Sequence, residues 1–349
     1  MRQNSPFSFY VGGYAEKGQK GILKCSFDPE SASFGILDAC EELRNPSWLL
    51  HHPGKPLLYA VEELSPEGSL AVLSEADGHL KVQAVLTTRG ADPCHISITP
   101  DEGHLLVSNY NGGSLAVYAL DADGIPAQMT DFVQHRMEHP QGGNPVRQEA
   151  PHIHFSSCDG RQVYVNDLGL NRVFLYDWEP EQGRLRGPVQ ALEFPEAAGP
   201  RHLAFSGDGR FLYVLCELNA TLHVFRRNGD SAWQRIQVVS TVPESAHDFE
   251  RYTWSIAAAI HFADPRTLCT STRGLNCLAV FAVGDDGTLR QRQMLSSEGV
   301  TPRDFMPAGD FLLAANQGSD AVQAFQRVHD AYIPLHASLK ALQPTCLCR

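Results

Sequence analysis

The chain has 349 residues and a formal net charge of −12, with 43% hydrophobic and 19% charged residues. This balance is typical of a folded globular protein, and the length is sufficient for a large core. The acidic charge argues against broad nucleic-acid binding, which needs a basic stripe. It does not exclude a small anionic substrate, because a few arginines in one cleft can reverse the local field.

Neither a targeting segment nor a membrane span is predicted. The N-terminal sequence MRQNSPFSFYVGGY lacks the apolar stretch of a signal peptide, and no apolar run is long enough to cross a bilayer. Nine cysteines lack zinc-like spacing, and Cys25, Cys216, Cys269 and Cys277 fall in apolar runs, which predicts reduced core residues. We therefore expect a cytoplasmic protein with neither nucleic-acid nor membrane partners.

The predicted elements are short strands that recur as one repeated unit. Each unit has an apolar run, a polar turn with Gly or Pro, a second apolar run and a third, alternating run. In chain order, the first copy, FYVGGYAEKGQKGILKCSF, supplies only the second and third runs. Fuller copies begin at Pro46, Pro93, Pro151, Pro200, Ala258 and Pro302.

The spacing of the copies indicates the fold. The middles of the second runs are Tyr10, Tyr59, Leu106, Tyr164, Tyr213, Cys269 and Leu313, separated by 49, 47, 58, 49, 56 and 44 residues. Seven copies of about 50 residues, each with three or four strands, fit a seven-bladed β-propeller. The tail PTCLCR at 344–349 matches the run missing from the first copy. We expect an all-β fold, one domain over residues 1–349, with the ring closed by the C-terminal strand joining the N-terminal blade.

Propeller topology predicts where polar residues converge. The first strand of each blade runs away from one face of the channel and the second strand returns to it. The candidates at strand-one starts are Asn45, Cys94, His95, His152, His154, Arg201, His202, His261, Arg303 and Asp304. Those at strand-two ends are Glu62, Glu63, Asn109, Asp167, Glu217, Arg273, Asn316 and Gln317. A basin of cationic, imidazole and carboxylate groups suits a small anionic ligand.

Each candidate also has a structural interpretation. Arg201 and Glu217 can form a structural ion pair, and His154 and His261 can be core histidines bonded to the backbone. Asn109, Asp167 and Asn316 can cap loop turns. Strand alternation allows at most one of Arg201 and His202 to face the channel, and we favour Arg201, with Glu217 beside it.

Other chemistries fit the sequence less well. His152-Ile153-His154 places two imidazoles on one strand face, which can bind metal, but no clear third and fourth ligands follow. The GxSxG and HExxH motifs are absent. We expect no metal and no cofactor.

Several segments resemble the lactonase family of seven-bladed propellers, which includes propeller-type 6-phosphogluconolactonases and fungal carboxy-muconate cyclases. They are QEAPHIHFS at 148–156, GPRHLAFSGDGRFLYVLCELNATLHVF at 199–225, NPSWLLHHPGKPLLYAVEE at 45–63, TPRDF at 301–305 and AANQGSD at 314–320. The resemblance covers nearly the whole chain and implies a metal-independent lactonase whose proposed site residues match His152, Arg201, Glu217 and Arg273. One departure is Ala259, where many relatives carry an acidic residue before an Ile-His or Ile-Arg pair.

The resemblance implies hydrolysis of 6-phosphogluconolactone, a step of the pentose phosphate pathway. His152 or Glu217 would take a proton from water, and Arg201 would hold the oxyanion or the phosphate. The predicted substrate-binding residues are Arg273, His154, Asn109 and Asn316. We expect a small anionic lactone as the partner and a monomer or weak homo-oligomer. The alternatives are a muconate cycloisomerase, another sugar lactonase, or a propeller that only binds a ligand or a protein.

Overall fold

The computed structural model describes residues 5–76, 78–138, 143–229, 232–243 and 256–349. These residues form β-strands β1 to β28 and one 3-10 helix at Gln317–Ser319. In the described ranges, no helix is both long enough and apolar enough to cross a membrane. All nine cysteines are free thiols, and most of them are buried.

The strands follow one another along the chain with short connections. The first three are β1 (Phe7–Gly13), β2 (Ile22–Asp28) and β3 (Ser33–Cys40). The next eight are β4 (Leu49–His51), β5 (Leu57–Glu62), β6 (Ser69–Ala76), β7 (His79–Thr87), β8 (Pro93–Ile98), β9 (His104–Asn109), β10 (Ser114–Leu120) and β11 (Pro126–Gln134). The middle of the chain contains β12 (Ile153–Cys158), β13 (Gln162–Asp167), β14 (Arg172–Glu179), β15 (Arg184–Glu193), β16 (Pro200–Phe205), β17 (Phe211–Cys216), β18 (Thr221–Asn228) and β19 (Ala232–Ser240). The last nine are β20 (Ile256–Asp264), β21 (Thr267–Arg273), β22 (Cys277–Val283), β23 (Leu289–Ser296), β24 (Pro302–Ala308), β25 (Phe311–Asn316), β26 (Ala321–Val328), β27 (Ala331–Lys340) and β28 (Pro344–Cys348).

The strands form seven four-stranded sheets, which are the blades of a seven-bladed β-propeller. Six sheets use four consecutive strands each, from β4–β7 to β24–β27. The seventh has the order β28-β1-β2-β3, so the C-terminal strand takes the first position in the N-terminal blade. The predicted all-β fold, its seven blades and its closure by the C-terminal strand are confirmed.

The chain forms two compact units. The first consists of Met1–Val11, Cys25–Leu37 and Arg201–Leu347, and the second of Gly12–Lys24, Asp38–Pro200 and Cys348–Arg349. The single domain over residues 1–349 stays a prediction.

Each unit has an apolar core built from the alternating faces of its strands. In the first unit, Tyr213, Leu268 and Phe281 belong to one buried cluster. In the second, Tyr59, Leu105 and Tyr118 belong to another. Such faces pack sheet against sheet, and the removal of their apolar area from water stabilises the fold.

Two tyrosines join neighbouring blades by equivalent hydrogen bonds. The Tyr59 hydroxyl of β5 donates to the Gly124 carbonyl at 2.6 Å, and the Tyr213 hydroxyl of β17 donates to the Gly287 carbonyl at 2.9 Å. Gly287 has φ +81°, and a Cβ there would lie 2.2 Å from the Phe211 ring. Only glycine therefore fits this turn, which holds the acceptor over the tyrosine of the preceding blade.

Candidate functional site

Two arginines and one glutamate form a buried ionic cluster in the first unit. Arg201 lies in β16, Glu217 directly follows β17, and Arg273 ends β21. Glu217 Oε2 lies 2.8 Å from Arg201 Nε and 3.0 Å from Arg273 Nη2. The strand ends of two neighbouring sheets thus bring one carboxylate between two guanidinium groups.

The start of β20 completes this cluster through its backbone. Arg201 Nη1 donates to the Ala258 carbonyl, and Arg273 Nη2 donates to the Ala257 carbonyl at 3.0 Å. The Ala257 amide donates in turn to the Glu217 carbonyl at 3.0 Å. These hydrogen bonds fix the two guanidinium planes relative to β20.

Arg201 and His202 make contact although they are neighbours in a strand. Arg201 Nη1 lies 2.9 Å from His202 Nε2. A guanidinium group only donates hydrogen bonds, so the imidazole nitrogen accepts. Strand alternation separates the two Cβ atoms, but the long arginine side chain brings its tip back to the imidazole. Strand alternation, from which we expected at most one of Arg201 and His202 to face the channel, therefore does not prevent contact between the two side chains.

Among the residues that the structure describes, two guanidinium groups contact one carboxylate in this cluster. The exposed side-chain fractions are 3% for Arg201, 1% for Glu217 and 11% for Arg273. Charges removed from water interact strongly, and guanidinium groups bind anions through paired hydrogen bonds. Arg273 is the member of the cluster with the most contact with solvent.

His152 is held in the second unit by three polar contacts. Its ring Nδ1 lies 3.2 Å from the Tyr110 carbonyl oxygen, and its Nε2 lies 3.0 Å from Glu149 Oε1. Its backbone amide donates to Asp167 Oδ1 at 2.9 Å. The imidazole also stacks on the Tyr110 ring, with centroids 4.4 Å apart and planes 17° apart. Ring position and ring plane are both fixed.

Asp167 belongs to a buried hydrogen-bonded chain behind His152. Its Oδ2 lies 2.7 Å from His135 Nδ1, and His135 Nε2 lies 2.9 Å from the Tyr176 hydroxyl. Its Oδ1 also accepts the Leu170 amide at 2.8 Å. Burial, with a smaller contribution from Asp167, raises the pKa of Tyr176 well above its usual range. Asp167 therefore caps the turn after β13, as its structural interpretation expected.

His154 is buried and also contacts Tyr110. Its Nδ1 lies 3.8 Å from Cys94 Sγ, and its ring meets the edge of the Tyr110 ring with centroids 5.4 Å apart. Both histidines of the HxH pair thus contact one tyrosine, but their ring nitrogens contact different partners. Among the described residues, no group of three or more His, Cys, Asp or Glu side chains could hold a metal ion.

Asn109 and Asn316 make the same contact in two blades. Asn109 Nδ2 donates to the Thr88 carbonyl at 3.3 Å, and Asn316 Nδ2 donates to the Ser297 carbonyl at 2.8 Å. Both side chains are fully buried. A repeated contact of this kind favours the loop-capping interpretation, and substrate binding by these residues stays a prediction.

Ala259, where relatives often carry an acidic residue, is fully buried beside apolar side chains. It shares a cluster with Cys269, Phe305 and Phe325. An ionised carboxylate at this position would be costly without a partner. The alanine suits the environment that this chain provides.

The structure assembles the predicted residues in two separate groups. Arg201, Glu217 and Arg273 meet in the first unit, and His152 and His154 meet around Tyr110 in the second. That the two groups serve one site stays a prediction. Sequence reasoning did not select Glu149 or Tyr110, although Glu149 lies inside the QEAPHIHFS segment and Tyr110 directly follows Asn109.

The blade count and the closing strand define a seven-bladed β-propeller. A sequence profile described as "Lactonase, 7-bladed beta-propeller" matches residues 8–347, and the chain belongs to this family.

Named relatives include two enzymes and one protein without a described activity. The 6-phosphogluconolactonase of Bacillus subtilis is 29% identical over 327 residues, covering 91% of this chain and 90% of the relative. An uncharacterized protein of Lactococcus lactis subsp. cremoris is 31% identical, with 91% of each chain covered. The solved structure of a periplasmic gluconolactonase of Pseudomonas aeruginosa is 31% identical, with a TM-score of 0.89 and 98% of each chain covered.

Proposed function

We propose that the protein hydrolyses a sugar lactone, and that 6-phosphogluconolactone is its substrate. The observation that carries this proposal is the buried cluster of Arg201, Glu217 and Arg273, in which two guanidinium groups contact one carboxylate. Guanidinium groups bind phosphate through paired hydrogen bonds. Membership of the lactonase family and the 6-phosphogluconolactonase among the relatives support the same activity.

Lactone hydrolysis adds water to a ring ester. The transition state places negative charge on the carbonyl oxygen, so a cation or a hydrogen-bond donor has to stabilise that oxygen. A base has to take a proton from the attacking water. In the proposed site one guanidinium of the cluster holds the oxyanion or the phosphate, and Arg273, the more exposed one, meets the remaining anionic group. The reaction needs no cofactor.

Glu217 is better suited to holding the arginines than to acting as a base. Two guanidinium groups lie within 3.0 Å of one of its oxygens, and they favour the ionised carboxylate over the protonated acid. We therefore propose that Glu217 positions the two arginines, and His152 as the base stays a prediction from the sequence.

The test compares 6-phosphogluconolactone with unphosphorylated gluconolactone, with kcat and KM measured for the wild type, Arg201→Ala and Glu217→Gln. We expect at least about a 100-fold loss of kcat/KM in Arg201→Ala, which is the size of effect of removing one oxyanion donor. Glu217→Gln should also lower kcat/KM, because Arg201 and Arg273 lose the carboxylate that holds them. Arg186→Ala is the matched control, because Arg186 is an exposed arginine paired with Asp177. Circular dichroism verifies the fold of each variant.

The outcome separates the remaining functions. Unchanged rates in both Arg201→Ala and Glu217→Gln would remove the cluster from catalysis. A preference for gluconolactone would identify another sugar lactonase, and turnover of a muconate would identify a cycloisomerase, since guanidinium groups also bind carboxylates. If none of these substrates is turned over, the remaining hypothesis is a propeller that only binds a ligand or a protein. The cytoplasmic location and the monomeric or weakly oligomeric state stay predictions, which fractionation and gel filtration can test.

A further inference from the structure

The guanidinium group of Arg201 is held by three different partners within the first unit. Its Nε lies 2.8 Å from Glu217 Oε2, and its Nη1 donates to the Ala258 carbonyl. The same Nη1 lies 2.9 Å from Nε2 and 3.5 Å from Nδ1 of His202. The side chain of Arg201 therefore contacts a carboxylate, a backbone carbonyl and an imidazole ring at the same time.

The contact with Arg201 requires the imidazole of His202 to be uncharged. A guanidinium group carries only hydrogen-bond donors, so Nη1 needs a nitrogen lone pair or the electron-rich face of a ring opposite it. A protonated imidazole would present a second positive charge, and both of its ring nitrogens would be donors. The charged groups joined to His202 by these contacts are Arg201 and, through it, Glu217 and Arg273.

Burial increases the effect of this contact on Arg201. Arg201 and His202 are each 2% exposed, so bulk water cannot take the place of the imidazole. A buried donor that loses its partner is unfavourable. Without the imidazole, we expect the guanidinium group to rotate toward another acceptor.

The contact also selects one conformation of the Arg201 side chain. Arg201 and His202 are neighbours in β16, so their Cβ atoms point to opposite faces of the strand. Only an arginine side chain that folds back toward the other face reaches the neighbouring imidazole. A binding group that is ordered before its ligand arrives loses less conformational entropy on binding, and it therefore binds more tightly.

We propose that His202 is the positioning residue of Arg201, and that its uncharged imidazole holds the guanidinium group in the orientation that binds the anionic part of the substrate. This inference rests on the proposed function. His202 acts through Arg201 and not on the substrate itself. Glu217 has a different role, because it supplies negative charge to two arginines, whereas the imidazole is a neutral partner of Arg201.

Two substitutions at His202 separate positioning from packing. His202→Leu fills a similar volume without nitrogen atoms, and His202→Gln keeps an uncharged acceptor. With 6-phosphogluconolactone as substrate, we expect kcat/KM to fall about tenfold or more in His202→Leu and to stay within about threefold of the wild type in His202→Gln. A rise in KM alone would assign Arg201 to the phosphate, and a fall in kcat at unchanged KM would assign it to the oxyanion.

His223→Leu is the matched control. His223 is a buried histidine of the same sheet, and its Nε2 lies 3.1 Å from the Thr221 hydroxyl. Its variant should keep kcat/KM within about threefold of the wild type, and circular dichroism verifies the fold of each variant.

A double-mutant cycle tests whether His202 acts through Arg201. In the Arg201→Ala background, His202→Leu should change kcat/KM by less than about twofold, because the group that the imidazole positions is already absent. A residue that only supports the fold would instead add its own loss to that of Arg201→Ala.

Binding of inorganic phosphate tests the same role without turnover. Isothermal titration calorimetry measures its Kd for the wild type and the two His202 variants. We expect Kd to rise about tenfold or more in His202→Leu and to change less than about threefold in His202→Gln.

The outcomes distinguish the two proposals. Turnover by the wild type together with equal kcat/KM in His202→Leu overturns the role of His202 and leaves the lactonase function intact. Equal losses in His202→Leu and His202→Gln, or additive losses in the double variant, reduce His202 to a structural residue. Phosphate binding that depends on His202, without turnover of any lactone, overturns the proposed function alone. A wild type that neither binds phosphate nor turns over a lactone overturns both.

Discussion

At the scale of single residues, Glu217 is the carboxylate between two buried guanidinium groups. Its removal would leave Arg201 and Arg273 beside each other without that negative charge. Glu217 is 1% exposed and contacts both Arg201 and Arg273. Removing one partner from a buried ionic cluster lowers the free energy of unfolding by more than the intact cluster adds to it. The reason is that the remaining charges stay buried without an opposite charge.

Glu217→Gln should therefore lower the free energy of unfolding by about 3 kcal/mol. Urea titration followed by circular dichroism measures this change. Glu193→Gln removes an exposed partner of Arg172 and should change stability by less than about 0.5 kcal/mol. Equal effects of the two substitutions would show that burial of the ionic cluster does not determine how much it contributes to the free energy of unfolding.

His223 makes stability depend on pH. It is 1% exposed in β18, and burial, with a smaller effect of Arg235, lowers its pKa to about 4. The unfolded chain binds the proton near the ordinary pKa of about 6.5, so it gains protons first as the pH falls. Stability should decrease from about pH 6.5 to pH 4, by up to about 3 kcal/mol.

Thermal unfolding of His223→Gln between pH 7 and pH 4 tests this dependence. The variant should show a flatter pH profile than the wild type. His329→Asn changes an exposed histidine and should reproduce the wild-type profile. Burial similarly lowers the pKa of His51, His52 and His104, so part of the slope should persist in the variant.

At the scale of strands and blades, Tyr59 and Tyr213 of the second strands connect neighbouring sheets. Tyr213→Phe removes the hydrogen bond to Gly287 and leaves a buried carbonyl without that donor, so it should cost about 1–2 kcal/mol. Tyr332 is the control, because its buried hydroxyl has no hydrogen-bond partner in the described part of the chain. Tyr332→Phe should be neutral or stabilising, and urea titration of both variants decides. A larger loss in Tyr332→Phe would contradict the assignment.

The strands could be predicted from the sequence more completely than the contacts between them. All seven residues from Tyr10 to Leu313 that mark the second runs lie in second strands. Apolar runs and turn residues are local signals, and they repeat. The contact of Arg273 with Glu217 depends on how two sheets pack, and no local pattern encodes that distance. Glu149 shows the same limit, because an exposed loop carboxylate carries no periodic signal.

At the scale of the whole molecule, β28 is required by the first blade. Cys346 and Leu347 are buried, and the Leu347 amide donates at 2.9 Å to Asp304, which is itself 1% exposed. Deletion of residues 344–349 removes this donor and exposes the edge of β1.

The truncated chain should unfold at a lower temperature than the wild type and elute partly as aggregate. Gel filtration and thermal unfolding measure both effects. Deletion of Arg349 alone leaves β28 intact and should preserve the wild-type behaviour. A truncated chain that unfolds like the wild type would show that closure by β28 is dispensable.

The pairing of β28 with β1 also has a consequence during translation. On the ribosome, β1 emerges long before its partner strand at Pro344–Cys348 is translated. At elongation speeds of about 5–20 residues per second, this interval is roughly 20 to 70 s. Throughout it the backbone groups along one side of Phe7–Gly13 have no native partner. During this interval the apolar β1 of the nascent chain is open to pairing with a neighbouring polypeptide.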